Sequence, residues 1–520
     1  MLFTKQFIIT PMLSLLLAVS FSLGACANEK TEYSDVDTFL ITVDPSYPRL
    51  LKVEARLKTV DDILSMEWES AQFLEAGWAT FVDDLKVYTP EGTEIEFETI
   101  LPAKWQLSGT LPETLVLKYN IRLTHDYVEW EGGHDEAAYV LDDLLLFLGR
   151  AVFITSGVQP EKYDGHQYLV EFQVPDNYQI TNQWDETGEK NSYRATSTME
   201  LVNSAILVGE QTVKEIEVGN VKIVIATGND FSGAIPLFES IYQNIAPFAN
   251  RVMGIAPASK YVVIANSAPR NEIFDPYFSG GVLSRTMSII APAVPGPEMK
   301  GIMQYILTHE YLHLWNIFAP VEEGLEESWY TEGFTDYMAI RLLNALGEFP
   351  DDQFLNGDQG ILGNYQKYLD GRDPEKSLRE AGLTKNQGSY DHVYSGGFTF
   401  AVALDAELAR LTNGTVSVAD YMRELVSRFG GKEKIKFEDL ISVAEDLSGG
   451  SLGPMFEKYV LTPEAIPLED YLHNVGLDLV FEGDEPANIV ESQNMSEEIK
   501  NLREKFLKPD GLTKYISSEN

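Results

Sequence analysis

Hydrophobic and polar positions change rhythm along this chain. Between residues 38 and 205, apolar side chains alternate with polar ones or gather in short β-branched runs, at 38–43, 50–57, 115–123 and 168–174. A period of two turns one face of a strand to a core and the other to solvent. Turn-forming residues such as Pro90-Glu91-Gly92 punctuate the runs, as hairpins require. The segment is predicted to be an antiparallel, sandwich-like β domain.

From residue 206 the texture changes. Two strands, at 221–227 and 261–265, flank a helical stretch at 231–251. Beyond residue 299 the helical period dominates, with helices predicted at 299–318, 326–346, 399–411, 418–429 and 437–447. Ser417 with Asp420 suits a helix start, and Thr412-Asn413-Gly414 suits a stop. A mainly helical second domain is therefore expected over residues 206–480. Residues 481–520 are polar, with one short charged helix at 496–507. They are expected to form a tail too small for a domain.

A length of 520 residues is too great for one ordinary core and fits two or three domains. With 44% hydrophobic and 11% aromatic residues the composition is globular. The net charge of −41 argues against nucleic acid or an anionic membrane face as partner. Beyond that it reads as a soluble surface.

The first residues carry a different signal. Lys5 precedes a mostly apolar run at 7–23, and Leu23-Gly24-Ala25-Cys26 follows. The run is short for a membrane span and lacks a flanking stop-transfer charge. Residues 1–26 resemble a bacterial lipoprotein signal, which would be cleaved before a lipid-modified Cys26. An ordinary secretory signal is the alternative. Cys26 is the only cysteine, so no disulfide forms within the mature chain. Residues 27–37 would be a polar tether. Ala27 and Asn28 do not look like an inner-membrane retention signal. The expected location is outside the cytoplasm, anchored to a membrane and most consistent with the outer one, with no nucleic-acid partner.

The candidate chemistry lies in the helical half. His309-Glu310-Tyr311-Leu312-His313 sits inside an apolar helical pattern. Histidines four apart leave one helix face a turn from each other. That spacing offers zinc two nitrogen donors. Glu310, rotated about 100° from His309, can face an open coordination position and act as general base toward the attacking water. Eighteen residues separate His313 from Glu332, in Trp329-Tyr330-Thr331-Glu332-Gly333-Phe334-Thr335-Asp336-Tyr337. A helix, a loop and a returning helix would bring Glu332 to the metal as third ligand. Two histidines and a carboxylate leave a fourth position for water. Asp336, one turn beyond Glu332, is a candidate acceptor for the His309 N–H. The alternative is a solvated helix carboxylate.

These residues resemble the gluzincin zinc peptidases. Trp315-Asn316 and the string from Glu332 to Tyr337 are similar to the glycyl aminopeptidase family in particular, a relative of aminopeptidase N and leukotriene A4 hydrolase. The resemblance implies an amino-terminal β domain ahead of a thermolysin-like helical peptidase domain, one zinc ion, and peptide or protein substrates. It covers residues 38 to 480. It also implies an oxyanion-supporting tyrosine from a Tyr-x-Lys-Gly string. Tyr394-Ser395-Gly396-Gly397 lies at that place, with Gly396 where the family has lysine. Tyr390 and His392 are competing candidates, and a packed aromatic just ahead of the helix predicted from 399 is the plain alternative.

Two departures bear on function. Relatives carry Gly-Gly-Leu-Glu-His on a strand along the cleft, whose glutamate is implied to bind a substrate's amino terminus. Here the string is Gly280-Gly281-Val282-Leu283-Ser284. Leu283 cannot pair with an ammonium group, and Glu272 or another acid would have to substitute. Many relatives also end in a PDZ domain, for which too few residues follow position 480. Three readings stay open: an aminopeptidase, an endopeptidase or hydrolase of blocked peptides, and a non-catalytic peptide- or protein-binding surface lipoprotein. His125, His134, His166 and His473 are expected to be surface or satisfied core histidines.

Overall fold

The computed structural model describes residues 36–67, 69–157, 165–274, 278–291, 294–296, 299–322 and 324–516. The expected export signal at 1–26, with Cys26, and residues 27–35 of the expected tether lie outside the described residues. Among the described residues, no helix is long and apolar enough to cross a membrane.

Strict alternation makes Asp37–Val43 a strand with every second residue buried. It pairs antiparallel with Leu50–Lys58 and parallel with Tyr168–Gln173 in the middle of an eight-stranded sheet. Two four-stranded sheets complete the amino-terminal part. The arrangement is antiparallel-rich but built from three sheets, with one parallel pair in the largest. Local alternation cannot reveal such a pair, because parallel partners are joined by a long crossover. Phe39, Ile41, Val53, Leu117, Phe147 and Trp184 fill its core.

The next sheet has five strands, in the order Gln211–Val218, Val221–Gly228, Lys260–Asn266, Thr286–Ile290, Ser279–Leu283. Successive side chains point to opposite faces. Ile223, Ile225, Tyr261, Val263, Met287 and Ile289 pack with the helices. Val224, Ala226, Val262, Ile264, Leu283 and Ile290 pack with the amino-terminal core. This sheet is a wall shared by both cores. Burial on both faces explains why its central strands read as unbroken apolar runs.

Five helices position the site: α1 (Ile235–Met253), α2 (Lys300–Phe318), α3 (Ser328–Thr331), α4 (Gly333–Ala345) and α5 (Tyr390–Thr412). The helix predicted over 326–346 is in two pieces that meet at Glu332. The helix predicted from 399 starts at Tyr390 instead, so Tyr394 lies within a helix and not ahead of one. Gly396-Gly397 stand inside this helix although glycine costs about 1 kcal/mol there. Packing overrides that cost here: a Cβ on Gly397 would lie 2.0 Å from the Trp329 carbonyl oxygen. Asn413, at φ 54°, ends α5 in the left-handed region, and Ser417 and Asp420 cap the helix Val418–Phe429.

The carboxyl-terminal residues are more ordered than their polarity suggested. Leu477–Glu482 and Glu485–Glu491 form a hairpin, and the helix Glu497–Leu507 sends Leu502 and Phe506 into the helical core.

Candidate active site

Helix α2 is buried along most of its length, with Leu307, Tyr311 and Trp315 anchoring it in the helical core. His309 and His313 leave the same face of it. Their Nε2 atoms lie 2.9 Å apart. Oε2 of Glu332, at the junction of α3 and α4, is 3.5 Å from the first and 3.3 Å from the second. Donors around a tetrahedral zinc, each near 2.0–2.2 Å from the ion, stand about 3.3 Å from one another. Two imidazole nitrogens and one carboxylate oxygen converging at 2.9, 3.3 and 3.5 Å therefore fit such an ion. Glu310 offers a carboxylate oxygen within 4.8 Å of the histidine nitrogens.

Each donor is held from behind. His309 Nδ1 is 2.7 Å from Asp336 Oδ1, one turn into α4. The Tyr305 hydroxyl, four residues before His309 on α2, donates to the same oxygen. Nδ1 of His313 lies 3.1 Å from the side-chain amide of Asn316, which also reaches the Thr331 carbonyl at 3.0 Å and the Thr335 hydroxyl at 2.8 Å. These contacts tie α2 to α3 and α4. Lys385 donates to Glu332 Oε1 at 2.8 Å.

Electrostatics follow from burial and these neighbours. Burial pushes the Glu310 carboxyl up to about 7, against the pull of the His309 and His313 rings. Burial also opposes ionisation of Glu332, but Lys385 foremost, with the two histidines, holds it well below the usual carboxylate range. His309 titrates well above an ordinary histidine, because Asp336 and the neighbouring glutamates outweigh its desolvation. Burial, reinforced by Glu332, keeps the Tyr394 phenol protonated far above neutral pH.

The rings of Tyr394 and His309 stack with centroids 6.4 Å apart, and Tyr390 stacks on Tyr394 at 4.1 Å. Both tyrosines stand beside the cluster. His392 does not join them: it is buried, its Nδ1 accepts the Asp373 N–H, and burial lowers it to about 4. Glu272 is an exposed loop residue. Gly280 and Gly281 lie on Ser279–Leu283, the strand at the sheet edge, and Leu283 is buried in the amino-terminal core. Alternation puts Ser279, Gly281 and Leu283 on one face. Asp135, from the short turn His134–Glu136 of the β domain, meets that face. Its carboxylate accepts from the Ser279 hydroxyl, and a Cβ on Gly281 would lie 3.1 Å from Asp135 Oδ2.

Asp135, Glu136, Ser279, Tyr305 and Lys385 were not singled out from the sequence. Tyr305 was legible in principle, being one helical turn from His309. Asp135 and Ser279 meet across 144 residues, and no local pattern reveals that. Of the remaining histidines, His125 is packed against Trp78, Phe81 and Trp130, His134 is buried against Phe274, His166 pairs with Asp37, and exposed His473 pairs with Asp478.

Residues 43–210 match the Peptidase M61 N-terminal domain. No curated protein matches the chain in sequence. Among solved structures, an aminopeptidase N family protein from Idiomarina loihiensis superposes with a TM-score of 0.69 at 16% identity, over 87% of this chain and 82% of that one. The M1 zinc metallopeptidase from Deinococcus radiodurans, as itself and as a point mutant, superposes at 0.56 and 14% identity, over 84% of this chain and 95% of that one. These likenesses establish the fold: an antiparallel-rich β domain followed by a helical region. With a match to the Peptidase M61 N-terminal domain over residues 43–210 and a two-histidine, one-carboxylate cluster on the helices, the chain is similar to gluzincin, aminopeptidase-like zinc metallopeptidases.

Proposed function

We propose that the chain cleaves peptides from a free amino terminus, with His309, His313 and Glu332 holding one zinc ion and Glu310 acting as general base. The observation that carries this reading is the convergence of three donor atoms beside a fourth, buried carboxylate. Zinc, when bound, supplies Lewis acidity that polarises the scissile carbonyl and acidifies a water molecule. Glu310 takes the proton of the attacking water and returns it to the leaving amine. Tyr394, protonated at working pH, donates to the oxygen that becomes negative. Asp336 holds His309 in the tautomer that leaves Nε2 free to ligate.

Preference for a free amino terminus draws its support from Asp135. Leu283 removes the acid expected on the edge strand, and Asp135 stands on the same face of that strand. Glu136 follows it, paired at 3.3 Å with Arg150. A substrate ammonium compensates a buried carboxylate whose near partner is a hydroxyl. The test compares one peptide with its amino-acetylated form, on wild type, Asp135→Asn and Glu310→Gln. Wild type should favour the free amine at least tenfold, Asp135→Asn should lose that preference, and Glu310→Gln should cleave neither. Equal cleavage of both forms by wild type would favour the endopeptidase reading. Zinc bound without turnover on any peptide would favour the binding protein.

Export with lipid attachment at Cys26 is proposed on the sequence pattern of residues 1–26 alone. Metabolic labelling with a palmitate analogue, with Cys26→Ser as control, tests it.

A further inference from the structure

Lys385 reaches the metal-binding cluster from the short turn Lys385–Gln387, just ahead of α5. Its Nζ lies 2.8 Å from Oε1 of Glu332 and 5.4 Å from the centroid of the Tyr394 ring. The side chain is only 16% exposed, and that of Glu332 13%. The other oxygen, Oε2, is the one that faces both histidines. The two oxygens of one carboxylate thus have separate partners.

We infer that Lys385 is a positioning residue that confines Glu332 to zinc coordination through a single oxygen. The inference rests on the zinc reading above. A carboxylate binds a metal through one oxygen or through both, and the choice follows what else the second oxygen can do. Here the second oxygen accepts a charge-assisted hydrogen bond, roughly twice as strong as a neutral one. The pair is largely shielded from water, which weakens the interaction less than at a surface. Swinging Oε1 onto the metal would take it from a largely buried ammonium, and leaving a buried charge unpaired is strongly unfavourable. The result is that the third ligand takes up one coordination position and leaves the fourth open, as a hydrolytic site needs. Lys385 also lies over the face of Tyr394, so one ammonium fixes both the third ligand and the candidate oxyanion donor. Neither helical spacing nor any motif indicates this lysine, because it comes from a loop 53 residues beyond Glu332.

The experiment loads the full chain with cobalt(II) and records its visible absorption, which is several-fold stronger for four-coordinate than for five-coordinate ions. Wild type and Lys385→Arg, which keeps a cation within reach of Oε1, should give the strong spectrum. Lys385→Met should still bind cobalt but lose most of that intensity as Glu332 engages through both oxygens. An unchanged spectrum in Lys385→Met overturns the inference. Glu332→Ala is the control for the underlying reading: if it leaves the wild-type spectrum intact, Glu332 is no ligand and the zinc assignment fails first. If it alters the spectrum while Lys385→Met does not, only the role of Lys385 falls. Lys385→Gln, scored in the same way, replaces Lys385→Met should circular dichroism show the latter unfolded.

Discussion

Gly333 and Gly397 bring two helices into backbone contact: a Cβ on Gly333 would lie 2.3 Å from the carbonyl carbon of Gly397. Gly333 opens α4 directly after Glu332, and Gly397 is three residues beyond Tyr394 on α5. The contact therefore sets the third ligand against the candidate oxyanion tyrosine. Ala at 397 would gain up to about 1 kcal/mol of helix propensity. It would also drive a methyl into the Trp329 carbonyl, and overpacking of this kind costs about 1–3 kcal/mol. Gly397→Ala is expected to lower the urea midpoint and to reduce zinc retention. Unchanged stability and metal content would mean the helices separate freely.

Removing the base should separate binding from turnover. Glu310→Gln is expected to keep zinc while losing about 10²–10⁴-fold in kcat/KM, the usual range for a positioned acid–base group. As the proposed base, Glu310 would work only when ionised, so wild-type activity should fall about tenfold per pH unit below its pKa. Burial, against the pull of the His309 and His313 rings, puts that value at about 7, and the charge of bound zinc moves it lower. The acid limb is therefore expected at or below pH 7, read from kcat/KM against pH.

On the proposed assignment Asp336 acts on the metal through His309, whose Nδ1 lies 2.7 Å from its Oδ1. Losing such a carboxylate partner typically costs about 10–100-fold in metal affinity. Asp336→Asn is expected to weaken zinc binding by that factor in a chelator competition. Tyr305→Phe, which removes only the donor to Asp336, should have a smaller effect in the same direction. Equal affinity in all three proteins would leave Asp336 a packed helix carboxylate.

His125 should give the fold a pH signature of its own. It is fully buried among Trp78, Phe81 and Trp130, and its Nδ1 accepts the Ala138 N–H at 2.8 Å. Burial first, and then the charge of Arg122, lowers it from 6.5 to about 3. Between those values the unfolded chain binds a proton that the native chain does not. Its contribution is fully present above pH 6.5 and is lost as pH falls toward 3. The slope from this group is at most about 1.4 kcal/mol per pH unit. Urea unfolding of wild type should steepen in that window relative to His125→Gln. Parallel pH profiles would contradict the assignment.

The convergence of His309, His313 and Glu332 was legible because its parts are local: two histidines one turn apart, and a glutamate at the start of a neighbouring helix. Strand alternation carried the amino-terminal β region as far as single strands, such as Asp37–Val43. What was not legible depends on distance along the chain. The parallel pairing of Asp37–Val43 with Tyr168–Gln173 needs a crossover of more than a hundred residues. Asp135 and Lys385 reach the site from loops with no periodic signal. The early start of α5 was not legible, because Gly396-Gly397 are unfavourable to a helix and only the contact of Gly397 with α3 explains them there. The hairpin at 477–491 was hidden because Val480, Phe481 and Val490 are exposed among acidic residues.

Anomalous diffraction at the zinc edge, from crystals grown with one equivalent of zinc, addresses the metal assignment most directly. One strong peak per chain is expected, within about 2.0–2.2 Å of Nε2 of His309, Nε2 of His313 and Oε2 of Glu332. A peak elsewhere, or a zinc ion at the histidines with Glu332 turned away from it, would contradict the site as assigned.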